Sequence, residues 1–132
     1  MAKGGGTERY GATVLRVFLG VIFIMHAYLA AFVLGPSGMI AYQTARGIPF
    51  PEIGTWYLIV VHGLGGICLV LGILVRVAAL VNIPVMAGAI FFVHLKQGFF
   101  MDNASGYEYT LLVLGATIAQ ALLGAGAFTL RK

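Results

Sequence analysis

The stretch His62-Gly63-Leu64-Gly65-Gly66-Ile67-Cys68-Leu69-Val70-Leu71-Gly72-Ile73-Leu74-Val75-Arg76 decides how the chain folds. Positions 62, 65, 69, 72 and 76 recur at the three-and-four spacing that gathers residues on one helix face. That face reads His, Gly, Leu, Gly, Arg. In hydrocarbon, small residues let a second helix backbone come close, and polar residues bond to a neighbour or reach the interface. The stretch therefore predicts a membrane helix packed against other helices, not one surrounded only by lipid.

The rest of the chain agrees with that solvent. Of 132 residues, 61% are hydrophobic and 9% charged, more apolar surface than a soluble domain of this length can cover. The net charge of +4 sits on residues flanking apolar runs, where orientation and lipid headgroups account for it, so nucleic acid is not an expected partner. Cys68 is the sole cysteine, which excludes an internal disulfide and a thiolate metal cluster. The first apolar run lacks a small-residue cleavage site and reads as a retained span.

Four runs are near the roughly 20 residues a helix needs to cross a bilayer: about 12–34, 55–75, 77–95 and 109–130. The predicted architecture is an all-α, four-transmembrane-helix bundle over 12–132 behind a polar tail at 1–11. Lys3, Arg9, Arg16, Arg76, Arg131 and Lys132 fall on one side, against Arg46 and Lys96 on the other, which places both termini in the cytoplasm. The expected location is the cytoplasmic (inner) membrane. The loop 35–54 carries Pro36, Pro49 and Pro51; its middle, 39–45, predicts a short interfacial helix before the extended Gly47-Ile48-Pro49-Phe50-Pro51. Arg76 alone separates the second and third runs, so those helices should form a tight hairpin. Pro84, beside Asn82, predicts a kink and a carbonyl needing a partner. Arg16 and Arg76 are expected to snorkel to headgroups. Gln120, in a stripe with Ala116 and Gly124, is expected to hold helices together.

The candidate chemistry is a layer of polar groups. His26, His62 and His94 lie in three successive spans, roughly 12, 10 and 2 Å inside their outer ends at about 1.5 Å per residue, and Tyr107 and Glu108 start the fourth span from the same side. Polar groups inside a membrane cost several kcal/mol unless paired or hydrated, which makes such a layer a functional pointer. One form is a quinone-head pocket, with histidine and glutamate handling protons and aromatic rings packing the head. Another is axial ligation of a haem or chlorophyll-type pigment by His62 or His26, with helix glycines making room. A metal site from the three histidines and Glu108 ranks third, since no two ligands are close in sequence. Each histidine alone is also explained by a hydrogen bond to a backbone carbonyl or a tyrosine.

The chain resembles the DoxX family of small four-helix membrane proteins. The resemblance lies in Leu15-Arg16 with Gly20 and Phe23, in Gly65-Gly66 followed by Leu71-Gly72 and Val75-Arg76, in Ala87, and in His94-Leu95-Lys96-Gln97-Gly98-Phe99-Phe100 with Gly106-Tyr107-Glu108-Tyr109-Thr110-Leu111-Leu112. It implies a four-helix bundle with cytoplasmic ends, work beside quinone-linked electron transfer, and family-like polar positions at Arg16, Arg76, His94 and Glu108. His62 departs from the pattern, in which a glutamate usually precedes the Gly-Gly pair, and so does His26-Ala27-Tyr28-Leu29. The expected function is a small membrane subunit of a quinone-linked electron-transfer complex, an accessory to an oxidoreductase. The alternatives are a non-catalytic subunit stabilising a large respiratory or photosynthetic assembly, and a haem or (bacterio)chlorophyll carrier. Lipid and other membrane subunits are the expected partners.

Overall fold

The computed structural model describes residues 6–101 and 106–131, and these are helical through most of their length. Lys3 and Lys132, which enter the charge argument, lie outside the described residues. Helix α1 (Gly6–Tyr28) passes into a π segment, Leu29–Val33. Helix α2 (Gly35–Ala45) starts directly after it, earlier than the interfacial helix expected at 39–45, because Gly35 turns the chain at φ 75° and proline stands in the first turn. Helix α3 (Pro51–Leu71) likewise opens on a proline. Helix α4 (Val75–Gly88) continues as a π segment, Ala89–His94, and a short 3-10 turn, Leu95–Gln97. Helix α5 (Glu108–Leu123) completes the series.

Three helical runs among the described residues are long and apolar enough to cross a membrane: Gly6–Val33, Pro51–Leu71 and Val75–Gln97. Helix α5 is apolar but has only 16 residues, ending at Leu123 where the apolar run predicts continuation to about 130. The chain leaves the helix at Gly124 (φ 83°) and turns again at Gly126 (φ 74°). Gln120, expected to join helices, instead donates from Nε2 to the Gly124 carbonyl at 2.7 Å and caps its own helix.

The helices form a ring in which α1 packs on α3, α3 on α4, α4 on α5 and α5 on α1. Leu19 and Phe23 of α1, Leu69 of α3, Val75, Ala78 and Met86 of α4 and Val113 of α5 meet inside it. Large apolar side chains such as Phe18, Phe32, Leu64, Leu112 and Leu122 point outward, the inverse of a water-soluble bundle and the pattern lipid requires.

The glycines of the 62–76 stretch serve two faces. Gly66 meets Gly20 of α1: a Cβ built on Gly66 would lie 2.8 Å from the Gly20 carbonyl oxygen, and one on Gly20 would lie 2.7 Å from that of Gly66. Gly65 faces α4, where a Cβ would lie 2.6 Å from Asn82 Nδ2. Gly72 (φ 75°) ends α3 in the left-handed conformation and α4 begins three residues later, so the tight hairpin forms at 72–74 and not at Arg76, which lies inside α4, and the single helix face expected through 62, 65, 69, 72 and 76 is broken at Gly72.

Arg16 does not snorkel. It is 1% exposed, and its donors are taken by five carbonyls: Nε by Ala125, Nη1 by Leu69 and Val70, and Nη2 by Ala127 and Phe128, all at 2.7–2.8 Å. The reason is the C-terminus of α3. A helix end leaves four carbonyls without partners, and here Arg16 and Leu69 are both buried, so the donors come from the protein. Cys68 is served by the N–H groups of Gly72 and Ile73, Leu69 and Val70 by Arg16, and Leu71 by the N–H of Leu130. The guanidinium thus welds the last turn of α3 to the segment 125–128, and Thr13 holds the same segment through the Ala127 N–H at 2.7 Å.

Candidate functional site

The α3–α4 hairpin folds residues equidistant from Gly72 onto one another, which brings His62 against Asn82. Both are buried, at 3% and 0% exposure. The Asn82 amide is oriented by two backbone carbonyls, donating from Nδ2 to Ala78 at 2.8 Å and to Val61 at 3.2 Å. Its Oδ1 is therefore an acceptor aimed at His62 Nδ1, 2.5 Å away. An amide oxygen cannot donate, so Nδ1 of His62 carries the proton, and in the neutral ring Nε2 is left with the lone pair. Phe23 stacks on the imidazole at 4.7 Å with 17° between planes, holding it from α1.

One turn beyond Phe23 stands His26. Its Nδ1 lies 3.0 Å from the Ile22 carbonyl, again a partner that can only accept, so in the neutral ring of His26 too the lone pair is at Nε2. The two imidazoles are 6.3 Å apart between centroids and nearly perpendicular.

Both rings line a cavity of about 630 Å³ between the helices and beneath α2. Its walls are mainly apolar, among them Phe23, Leu58, Met86, Phe92 and Val113. Both π segments reach it, through Leu29 and Ala30 on one side and Ala89 and His94 on the other. Such wide turns recur at functional sites because they re-aim side chains without ending a helix. The Tyr57 hydroxyl donates to the Val81 carbonyl at 2.6 Å and ties α3 to α4 beside Pro84, although the carbonyl that the proline leaves without its N–H is that of Leu80, one residue earlier. Gln43 is the buried residue of α2, 4% exposed, and its Oε1 has no hydrogen-bond partner. It also lines the cavity, packed over Gly54, where a Cβ would lie 2.5 Å from Oε1.

His26, His62 and His94 thus come together around one cavity. Tyr107 and Glu108 lie outside its lining, which takes Tyr109 and Thr110 from α5 instead. Glu108 accepts the Met101 N–H at 3.0 Å, and the Tyr107 ring packs edge-on against Phe99 at 5.4 Å, so the two close the turn before α5. Among the described residues no group of three or more His, Cys, Asp or Glu is placed to hold a metal ion, which removes the three-histidine-and-Glu108 arrangement. Gln43 and the orienting role of Asn82 are not in the sequence reading. Asn82 could have been found by reflecting His62 across the hairpin, whereas Gln43 carries no local signal.

The DoxX family model matches residues 11–95, from α1 through α4 and its π segment, and includes all three histidines. It stops before the Gly106–Leu112 stretch that also carried the resemblance. A Bacillus subtilis (strain 168) protein named "Putative oxidoreductase CatD" is 32% identical over 114 residues, covering 86% of this chain and 79% of the relative. An uncharacterized protein of Haemophilus influenzae is 32% identical over 123 residues, covering 92% and 88%. No solved structure gives a significant match. With its membrane-length apolar helices and the family model covering most of the described bundle, the chain is an integral membrane protein and belongs to the DoxX family.

Proposed function

We propose that the chain is a small membrane subunit of a quinone-linked electron-transfer complex and that the cavity beneath α2 holds the quinone head. The observation that carries this reading is the cavity itself. It has about 630 Å³ of mainly apolar space with histidines from three helices on its wall, the combination that buries a ring and its tail while a few polar groups fix the ring oxygens. A relative named as an oxidoreductase supports the same direction. The chain's own part is to bind and orient. Phe23 and Asn82 hold His62, and the apolar wall keeps water from the ring. Electrons must come from a partner subunit.

In this reading α5 is the fourth span, both termini are cytoplasmic, and the cavity lies in the outer half of the cytoplasmic (inner) membrane. In a Cys68→Ala background, an impermeant maleimide should label Lys96→Cys in intact spheroplasts and Arg131→Cys only after permeabilisation. The reverse pattern refutes the orientation.

Protein purified in mild detergent should retain about one quinone per chain on solvent extraction. Ala89→Phe, which puts a ring into the cavity, should reduce retention at least tenfold without changing the elution profile, since about 1.4 kcal/mol of lost contact is already tenfold. Unchanged retention in that variant, or a Soret or bacteriochlorophyll absorption band in place of quinone, would count against the proposal. The second of those outcomes would favour axial ligation through His62 or His26.

A further inference from the structure

Two imidazoles on the cavity wall are held in the same tautomer. The backbone carbonyls at Ala78 and Val61 set the Asn82 amide, the amide sets the His62 tautomer, and the Ile22 carbonyl sets that of His26. Each neutral imidazole is left with a lone pair at Nε2. Gln43 also lines the cavity, but its amide carries N–H donors beside the buried Oε1 and so does not discriminate. The tyrosine and threonine hydroxyls nearby, Tyr42, Tyr109 and Thr110, can donate or accept and so do not discriminate. The proton of the remaining tyrosine, Tyr57, is already given to Val81.

A quinone offers its ring substituents only as carbonyl acceptors, whereas the corresponding quinol offers two O–H donors. Placing a carbonyl against these lone pairs makes no bond and leaves a buried acceptor unpaired; placing a hydroxyl there satisfies it. We infer that the cavity selects the reduced, hydroxyl-bearing form of its ligand, an apolar-tailed 1,4-dihydroxyarene, through acceptors at His26 and His62. This inference rests on the reading of the cavity as a quinone-head site and adds the redox form that it takes.

The test uses the full chain in lipid nanodiscs under anaerobic conditions, titrated with ubiquinone-1, ubiquinol-1 and the dimethyl ether of that quinol. Quinol should bind at least tenfold more tightly than quinone, and the ether, which has no donor, no better than the quinone. Equal affinity for quinol and quinone overturns the inference and leaves the quinone-site reading standing. Binding of none of the three overturns both. Independently of any variant, ¹⁵N NMR of histidine-labelled protein should show His62 protonated at Nδ1 and bare at Nε2; the opposite tautomer overturns the assignment. Asn82→Leu, which releases the ring to present either nitrogen, should shrink the quinol preference, and a preference left intact in the folded variant overturns the role given to Asn82.

Discussion

Replacing Arg16 with methionine is expected to cost the folded protein about 5 kcal/mol, the largest effect of the substitutions considered for the bundle. The guanidinium donates to five carbonyls, two on α3 and three on the segment 125–128, and a net contribution of about 1 kcal/mol for each bond gives that figure. Methionine matches much of the bulk, so the loss reads the bonds and not a void. It leaves the Leu69 and Val70 carbonyls without their donors at a helix end, the first of them on a fully buried residue. The measurement is the temperature at which half the protein remains monodisperse in detergent, together with protease cleavage near Gly124. Methionine should lower the first and expose the second. Arg16→Lys should recover only part, because an ammonium has three donors on one atom and cannot span both carbonyl groups as the planar fork does. A methionine variant as stable as the parent would show that the carbonyls find other partners.

The second large effect is expected at the contact between α1 and α3. Gly66→Ala adds a single methyl, but its surroundings are the Gly20 carbonyl at 2.8 Å and the Ile24 amide nitrogen at 3.0 Å, backbone atoms that cannot swing aside as a side chain would. The two helices must separate, at a cost of about 2–3 kcal/mol. Gly20→Ala should behave alike, since its Cβ meets the Gly66 carbonyl at 2.7 Å. The double variant should fall short of the sum, as one separation relieves both clashes. By contrast Gly88→Ala, with open space around its Cβ, should be neutral. Equal stability of Gly66→Ala and Gly88→Ala would refute the close approach. If the cavity holds the proposed head group, Gly66→Ala should also weaken its binding, because Phe23 and His26 ride on the helix that moves.

How much was legible beforehand follows from the range of each interaction. A tight hairpin between the second and third apolar runs was legible from how little chain separates them, but its place was not: Arg76 marks the gap in hydropathy, whereas the turn falls at Gly72, the residue there that takes a left-handed conformation without strain. The histidines of three helices could be placed at similar depth by counting residues along each span, since helical rise is constant. The fate of Arg16 could not. Snorkelling and internal bonding use the same residue at the same depth, and the choice between them was made by residues 125–128, more than a hundred positions away. Tyr107 and Glu108 share the histidines' level in the chain but not their cavity, because level along a helix says nothing about the rotation that aims a side chain.

By itself the sequence determined the solvent, the helical class and the punctuation between helices. These depend on composition, on the obligation of every backbone group in lipid to bond within its own helix, and on the conformational freedom of single residues. Only the tertiary structure decided which lone pairs face the cavity. A histidine's tautomer is set by whichever acceptor packing brings to its other nitrogen, and for His62 that acceptor is Asn82, itself held by carbonyls of two helices.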